Sequence, residues 1–428
     1  MTTMLSETRE SKFADLFAVP IRNGLFRPTY VRGEGTKMIN MGEVFSQGRI
    51  GDIDMERVPL AESERENFLL RKNDLLFARA SLAEDAGKCC IFVGTEETTF
   101  ESHVIRVRLN PKLADSRFYY YYFNSRAGKQ LIETIVERTA ASGIRTSDLS
   151  KLTVPHPGIE AQTRIADFFE LMDQKIELNE HMNKTLEAMG RTIFKHWFID
   201  FEFPNEEGKP YKSSVGEMAY NEELGKQIPK EWKAGSILDC ANILSGGTPR
   251  TEVAEYWGGE VPWVSARDVT NSQGSFIVDT ERTITQAGID NSNAKLLPKN
   301  TTVVTARGVV GSYCILSKEM AINQTNYGLK ARSEASDFFV FFSISNLVHQ
   351  MKQHSYGTIF DTITTTTFAR MKFPIPPSTL IQSFEEKARA IMTKILVNLQ
   401  ETHSLASIRD ALLPKLMSGK IRVPVEVR

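Results

Sequence analysis

The chain has few cysteines, and their arrangement excludes a metal site or a disulfide framework. Its 428 residues contain four of them, Cys89, Cys90, Cys240 and Cys314. None belongs to a Cys-x-x-Cys pair, and none lies near a cluster of histidines, so neither a zinc site nor a set of disulfides is expected. We therefore predict reduced, mostly buried thiols.

Long apolar runs are also missing. No stretch of about 18 apolar residues is present, so no transmembrane helix is expected. The N-terminal sequence MTTMLSETRESK lacks the apolar core of a signal peptide. Together these absences predict a cytoplasmic protein.

Recognisable catalytic motifs are absent as well. There is no G-x-x-x-x-G-K-[ST] phosphate loop, and GEGTK at residues 33–37 is interpreted as a turn. Metalloprotease, serine-hydrolase and amino-methyltransferase motifs do not occur. The seven histidines are scattered, and no carboxylates are grouped as metal ligands. The sequence therefore predicts no catalytic residue, no metal site and no cofactor bound by this chain.

The composition is that of a folded protein without an excess of charge. The apolar fraction of 41% and the charged fraction of 25% are ordinary values for soluble globular proteins. A chain of this length predicts two or more domains. The formal net charge of −1 neither supports nor excludes nucleic acid as a partner. A DNA-binding chain of this charge must gather its Lys and Arg on one face.

An internal repeat organises the sequence. TLEAMGRTIFKHWF at residues 185–198 aligns without a gap with SLASIRDALLPKLM at residues 404–417. At the same offset, TSDLSKLTVPHP (146–157) aligns with TTTFARMKFPIP (365–376), and each predicts a short strand followed by a helix. The repeat predicts two long helices of the same design.

The spacing of apolar residues in both helices is that of a coiled-coil seam. A helix from Ile159 to Phe198 would be about 60 Å long and needs a partner of matching length. We predict an antiparallel partner at Thr379–Met417, with a polar layer that fixes the register. The predicted seam residues are Ile165, Phe169, Met172, Ile176, Asn179, Leu186, Met189, Ile193, Ile391, Ile395, Asn398, Leu405, Ile408 and Leu412.

The globular halves correspond too. The matched segments are IRNG (21–24) with ILSGG (243–247), INMGEV (39–44) with VSARDV (264–269), NDLLFARA (73–80) with NTTVVTARG (300–308), GKCCIFV (87–93) with GSYCILS (311–317), and SRFYYYYF (116–123) with SDFFVFFS (336–343). Short strands, glycine turns and one aromatic helix per half predict two similar α+β domains separated by a long antiparallel two-helix coiled coil. The YYYYF segment is predicted to be core, not a base-stacking platform.

These patterns set the predicted boundaries. They are a first globular domain at 1–158, a central helix at 159–202, a linker and lead-in at 203–231, a second globular domain at 232–377, a C-terminal helix at 378–418 and a tail at 419–428.

Several segments resemble the specificity subunit of type I restriction–modification systems. They are IPKEW (228–232), LSGGTPRT (244–251), YWGGEVPWVSARDV (256–269), IRDALLPKLMSGKIRV (408–423) and the central stretch 175–203. The first half departs from the pattern: it has no IPxxW lead-in, and IRNGLFRP stands where the second half has LSGGTP.

The resemblance implies two target recognition domains, each of which reads one half of a split site in double-stranded DNA. It implies that the helix pair sets the spacing between the halves. It also implies two modification and two restriction subunits as partners. S-adenosylmethionine, ATP and Mg would then belong to those partners, together with adenine methylation and ATP-dependent cleavage.

Basic and polar residues at glycine-rich turns are the candidate DNA contacts. Arg can bind guanine and Asn can bind adenine through two hydrogen bonds, while Ser, Thr, Lys and backbone N–H groups bind phosphates. We expect Arg79 and Arg307 to be the best candidates because both follow an alanine at matching positions. The full set is Arg22, Asn23, Gly24, Arg27, Arg32, Lys37, Arg79, Ser245, Gly246, Gly247, Thr248, Arg250, Arg267 and Arg307.

Three other functions stay open at this stage. The chain could be the specificity partner of another multisubunit methyltransferase or nuclease, or itself an enzyme with an unrecognised site. It could also be a helix-paired scaffold without a DNA role, although the dense Ser, Thr and Arg turns of both halves argue against that.

Overall fold

The computed structural model describes residues 9–81, 86–137, 142–272, 275–333, 336–354, 362–417 and 420–421. The first eight residues and most of the predicted tail at 419–428 lie outside this range. The chain divides into two compact units. The first unit is Met1–Lys175 with Ser404–Arg428, and the second is Ile176–His403.

The first unit contains strands and short helices, the start of one long helix and the end of the other. Its strands are β1 (Arg9–Lys12), β2 (Arg22–Asn23), β3 (Thr36–Ile39), β4 (Arg49–Ile50), β5 (Arg57–Val58), β6 (Leu75–Ala78), β7 (Ala80–Ser81), β8 (Cys89–Phe92), β9 (Thr98–Phe100), β10 (Val104–Val107), β11 (Ser142–Gly143) and β12 (Thr153–His156). Its helices are α1 (Met41–Ser46), α2 (Glu62–Phe68), α3 (Ser116–Asn124), α4 (Arg126–Glu133), α5 (Thr146–Lys151) and the start of α6 (Ile159–Phe198), with 3-10 turns at Phe13–Leu16 and Thr29–Val31.

Two sheets form the body of this unit. One has the strand order β2-β10-β6-β8-β4, and the other has the order β5-β3-β9. Strands β6, β8 and β10 are buried throughout and apolar except for Arg106, as expected of strands covered on both faces. Helix α3 packs its aromatic residues into the same core, so the prediction that YYYYF is core is confirmed.

The second unit repeats this arrangement. Its strands are β13 (Met218–Asn221), β14 (Lys226–Pro229), β15 (Lys233–Ser236), β16 (Ala241–Ser245), β17 (Trp257–Val264), β18 (Phe276–Ile277), β19 (Arg282–Ile284), β20 (Leu296–Leu297), β21 (Thr302–Thr305), β22 (Tyr313–Leu316), β23 (Met320–Ile322), β24 (Asn326–Ala331) and β25 (Lys372–Ile375). Its helices are α7 (Ile237–Cys240), α8 (Ala266–Asn271), α9 (Gln286–Asp290), α10 (Asp337–His354), α11 (Thr365–Arg370) and most of α12 (Ser378–Met417), with a 3-10 turn at Ala254–Tyr256.

The sheet orders of the second unit match those of the first. The order β16-β24-β21-β22-β18 corresponds strand for strand to the five-stranded sheet of the first unit. The order β19-β17-β23-β20 corresponds to the three-stranded sheet with one strand added. In both units the strand that precedes the short helix α1 or α8 pairs in parallel with β9 or β23. The predicted internal repeat of α+β domains is therefore confirmed.

The two long helices run antiparallel within each unit. In the first unit, Asp173 of α6 pairs with Arg409 of α12. In the second unit, Asn183 lies against Asn398, while Trp197, further along α6, meets Phe384, which is earlier in α12. The described bounds, Ile159–Phe198 and Ser378–Met417, are close to the predicted ones.

A buried polar layer joins the two helices in the second unit. Asn179 and Asn398 have no exposed surface, and the side-chain amide of Asn179 lies 3.5 Å from the backbone oxygen of Asn398. The Asn179 amide also donates to Glu401 over 2.9 Å, and the Asn398 amide donates to Asn183 Oδ1 over 2.8 Å. The structure thus brings the predicted pair together and adds Asn183 and Glu401 to it.

Most predicted seam residues are at least partly buried, with two exceptions. Met189 is 48% exposed and Ile408 is 46% exposed, so neither belongs to a buried layer. Met189 and Ile408 occupy equivalent positions of the internal repeat, and the seam prediction is wrong at both for the same reason. A straight helix drifts by about 20° per heptad from a strict seam. Beside Met189, it is Gly190 that is buried, with the Phe342 ring directly over it.

The segment predicted as a linker is folded onto the second unit. Phe203 stacks on Tyr211 with ring centroids 4.5 Å apart, and on Trp232 with centroids 5.4 Å apart. Glu202 accepts hydrogen bonds from the backbone and hydroxyl of Ser213. The polar and Gly/Pro-rich composition hid two aromatic residues of the segment, Phe203 and Tyr211, whose stacking with each other and with Trp232 orders it.

The cysteines behave as predicted within the described residues. Cys89, Cys90 and Cys314 are buried, Cys240 is half-buried, and all four are free thiols. Burial raises the pKa of Cys90 and of Cys314 to about 12, so neither thiol is activated. In the part of the chain that the structure describes, no helix is both long and apolar enough to cross a membrane.

Candidate nucleic-acid interface

In the second domain, the glycine-rich loop after β16 is held tightly against the sheet. A Cβ atom on Gly246 would lie 2.2 Å from the backbone oxygens of Ile322 and Asn323, so only glycine fits there. The Gly247 oxygen accepts a hydrogen bond of 2.9 Å from the indole of Trp263. Gly246 and Gly247 are thus required by contacts of the chain with itself, which differs from the close approach to DNA that we expected of them.

Polar residues on both sides of the two glycines reach the surface. Ser245 and Arg250 are exposed, and the Thr248 hydroxyl donates to the side chain of Gln324. The Arg250 oxygen accepts from the Trp257 indole over 3.1 Å, which fixes the backbone beneath the Arg250 side chain. The loop therefore presents the Ser245 hydroxyl and the Arg250 guanidinium, and the Gln324 amide lies beside Thr248.

Two further arginines of this domain are exposed beside short structural elements. Arg267 lies in the first turn of α8, whose capping box joins Ser265 and Asp268. Arg307 follows β21 and precedes Gly308, whose φ of +81° makes the turn. No carboxylate in the described part of the chain lies within ion-pair distance of Arg250, Arg267 or Arg307. Their charge is available to a phosphate or a base.

In the first domain, the edge strand β2 is equivalent to β16 of the second domain. It carries Arg22 and Asn23. The Arg22 guanidinium lies over the Phe68 ring at 5.2 Å. Asn23 is half-buried, and its Oδ1 is buried without a hydrogen-bond partner among the described residues. Gly24 repeats the role of Gly246, since a Cβ there would lie 2.2 Å from the oxygens of Phe100 and Glu101.

Three predicted contacts of the first domain are bound within the protein. Arg27 pairs with Glu64 over 2.6 Å and lowers the pKa of that carboxyl through their hydrogen bond. Arg32 pairs with Glu56 over 2.7 Å. Lys37 is 7% exposed and lies 3.1 Å from Glu96. Lys37 is therefore corrected to a structural residue, because its ammonium does not reach the surface.

The proposed match between Arg79 and Arg307 is wrong by one residue. Arg79 donates its N–H to the His103 oxygen and accepts from Ile144, while Ala306 makes the same two contacts with Thr325 and Ile363. Arg79 is thus equivalent to Ala306, not to Arg307. Asn73 and Asn300 precede the two equivalent strands, and both have a positive φ. When the residues are counted from these two without a gap, Arg79 aligns with Ala306. Both arginines are exposed and remain candidates individually.

Sequence reasoning missed one well-ordered arginine. Arg282 begins β19, and its guanidinium lies 3.5 Å from the ring centroid of Trp257. The tryptophans of YWGGEVPW are a partial signal, because an indole can stack on a cation. The sequence does not show which cation meets them, since the contact joins two strands.

The comparison with protein families bears on the two repeated domains. Residues 7–188 and 229–394 match the model described as "Type I restriction modification DNA specificity domain". The chain belongs to this family. The two matched stretches fall on the two repeated domains, so this type I specificity subunit carries the specificity domain twice.

Similar proteins extend over much of this subunit. The MjaX specificity subunit of Methanocaldococcus jannaschii, a putative one, is 24% identical over 97% of this chain and 94% of its own length. The HindI specificity subunit of Haemophilus influenzae is 26% identical over 65% of this chain and 71% of its own. A crystal structure of the type I S subunit from M. genitalium is similar in fold, with a TM-score of 0.60 at 17% identity over 97% of this chain and 96% of that one.

Membership of the family settles the class of function. The chain is a DNA-recognition subunit that assembles with other restriction–modification subunits, and the catalytic activities lie in those partners. Its two domains fit a target of two parts. Among the described residues, no group of His, Cys, Asp or Glu is arranged to hold a metal ion.

Proposed function

We propose that each domain of this subunit reads one half of a bipartite target in double-stranded DNA through the exposed arginines at its glycine-rich turns. The observation that carries the proposal is the state of these side chains. Arg250, Arg267 and Arg307 are exposed without a carboxylate partner in the described structure, whereas Arg27, Arg32 and Arg117 are each ion-paired. An unpaired arginine can bind a base edge or a phosphate without losing an internal contact.

The second domain offers the larger set of candidates. Its loop presents Ser245, Thr248 and Arg250, and Arg267 and Arg307 belong to the same domain. In the first domain the corresponding set is Arg22, Asn23 and Arg79. Arg27 and Arg32 contribute only if DNA displaces Glu64 and Glu56, because each is now ion-paired.

We further propose that the helix pair sets the number of unread base pairs between the half-sites. The support is the polar layer of Asn179, Asn183 and Asn398, which permits one register of the two helices in the second unit. A ruler requires a fixed register, because a helix pair that slides would not define one length.

The same helices supply a docking surface for partner subunits. In the second unit, Leu178 and Val397 of these helices are 52% and 48% exposed. Apolar residues on a paired helix that face away from its partner are suited to a further helix. The occupants we propose are two modification subunits, with two restriction subunits completing a cytoplasmic complex. S-adenosylmethionine, ATP and Mg would bind to those partners.

Binding of a random duplex library by the chain with its modification partner tests the proposal. We expect enrichment of one split sequence with two short specified parts and a constant gap. Replacement of Arg250 and Arg267 by alanine should weaken the second part only. Enrichment of a continuous sequence, or of none, would exclude this reading.

A further inference from the structure

Arg282 is an exposed arginine of the second domain whose guanidinium lies over two tryptophan rings. It stands opposite Trp263 in the pairing of β19 with β17. Its guanidinium carbon is 3.5 Å from the Trp257 ring centroid and 5.7 Å from that of Trp263. Arg282 is nevertheless exposed, and no acceptor for its guanidinium N–H groups lies among the described residues.

Stacking of this kind prepares an arginine for recognition. The close cation–π contact with the Trp257 ring restrains the guanidinium, while its N–H groups have no acceptor among the described residues. A planar fork that is already oriented loses less conformational entropy when it binds, and its geometry matches the O6 and N7 acceptors of guanine.

The stack is connected to the candidate DNA surface. The Trp257 indole donates to the Arg250 oxygen, and the Trp263 indole donates to the Gly247 oxygen. The backbone N–H of Glu281 donates to Asp268 at the start of α8. Arg282 therefore shares one hydrogen-bonded assembly with the glycine-rich loop and with the helix that carries Arg267.

The equivalent position of the first domain holds the opposite charge. There β5 pairs with β3 in the same way, and the backbone N–H of Met38 bonds to the oxygen of Glu56. Glu56 thus occupies the place of Arg282. Its carboxylate accepts from Arg32 over 2.7 Å and from the Asn40 amide over 3.3 Å. The strand pairing agrees between the domains, while the exposed side chain on it differs.

We propose that Arg282 reads a guanine in the half-site of the second domain, and that the position shared by Arg282 and Glu56 determines specificity in both domains. This inference rests on the proposed function and adds a residue and a base to it. Two domains that share a fold but read different DNA sequences must have similar backbone pairing. Their side chains must differ where they contact the bases. A change from a stacked arginine to a paired glutamate on one strand is a difference of that kind.

The test compares variants of the full chain assembled with its modification partner, with methylation of a randomised target library as readout. In Arg282→Ala, one G·C position of the second half-site should lose about 5- to 150-fold of its preference. Every other position of the second half-site, and the whole first half-site, should keep its base preference. Trp257→Leu should reduce the same preference, while Trp257→Phe, which retains a stacking ring, should preserve it. Arg370→Ala, an exposed arginine on α11, serves as the control and should change nothing.

Three results would overturn the inference while leaving the proposed function intact. They are an unchanged motif in Arg282→Ala, a uniform loss of affinity across all sequences as expected of a phosphate contact, and a loss of the entire second half-site. Absence of a bipartite motif for the unaltered complex would instead refute the proposed function.

Discussion

At the scale of single residues, strain and burial mark positions that can be tested without DNA. The tryptophans of this chain, Trp197, Trp232, Trp257 and Trp263, all lie in the second unit. Their fluorescence therefore follows the unfolding of that unit selectively. Two residues of the unit stand out, one for its backbone conformation and one for its buried charge.

Val215 has a φ of +63° and is 92% exposed. A β-branched residue is unfavourable in the left-handed region, and no apolar contact offsets the cost. We predict that Val215→Gly stabilises the second unit by about 1 kcal/mol in denaturant unfolding followed by tryptophan fluorescence. Val309→Gly is the matched control, because Val309 is also exposed but has a negative φ, and it should not stabilise. Equal effects of both changes would contradict the explanation.

Glu385 is 2% exposed and accepts hydrogen bonds from the backbone N–H groups of Phe338 and Phe339. Burial raises its pKa to about 7, with Asp337 adding to the rise, while those hydrogen bonds and Arg389 oppose it. The folded state thus binds the proton more tightly than the unfolded state. The stability it contributes is complete below about pH 4.5 and is lost as the pH rises through about 7.

In Glu385→Gln this pH dependence should disappear. Between pH 4.5 and 8, the stability of the unaltered protein should fall relative to that of Glu385→Gln by on the order of 1 to 3 kcal/mol. The exposed neighbour Glu386, changed to Gln, is the control and should leave the pH profile as it is. Parallel pH profiles for Glu385→Gln and the unaltered protein would show that Glu385 does not titrate in this range.

At the scale of elements, the polar layer between the helices is a set of mutually dependent hydrogen bonds. We predict that Asn398→Leu costs about 1 to 3 kcal/mol, because it leaves Asn183 Oδ1 buried without its donor. The double change Asn183→Leu with Asn398→Leu should recover much of that loss, since both partners become apolar. A double-mutant cycle by denaturant unfolding measures the coupling. Strictly additive losses would mean that the two amides act independently.

The elements were largely predictable, and the paired side chains were not. The long helices and the strand repeats followed from apolar spacing, since Met172 and Ile176 recur as Ile391 and Ile395. The ion pairs of Arg27 and Arg32 join residues 37 and 24 positions apart, a distance over which no local pattern operates. Met189 was misjudged because a heptad template carries no information on where a straight helix drifts.

The residues of the candidate site could be predicted only where their position depends on the local sequence. Residues of the glycine-rich loop, such as Thr248 and Arg250, could be chosen because turn chemistry is local. Arg282 could not, because its role depends on a stack with Trp257 across two strands. The register error at Arg79 arose from aligning residue types, whereas the backbone hydrogen bonds align positions.

At the scale of the whole molecule, the proposed ruler predicts that target spacing follows helix length. Four residues, inserted after Asn183 and again after Lys394, lengthen both paired helices at facing positions by about 6 Å. That is the rise of about two base pairs at 3.4 Å each. We predict a recognised target with the same half-sites and a spacer longer by one or two base pairs, read by methylation of a spacer library. An unchanged spacer preference would remove the helices from this role.

If one chain with two repeated domains reads two separate half-sites, the methylation pattern of the cell records both halves. Methylome sequencing of cells that carry this chain with its modification partner is therefore the decisive measurement. We expect a single methylated motif made of two short specified sequences separated by a constant number of unspecified bases. Exchange of one domain should alter one half of that motif alone. A continuous motif, or two halves that change together, would contradict this expectation.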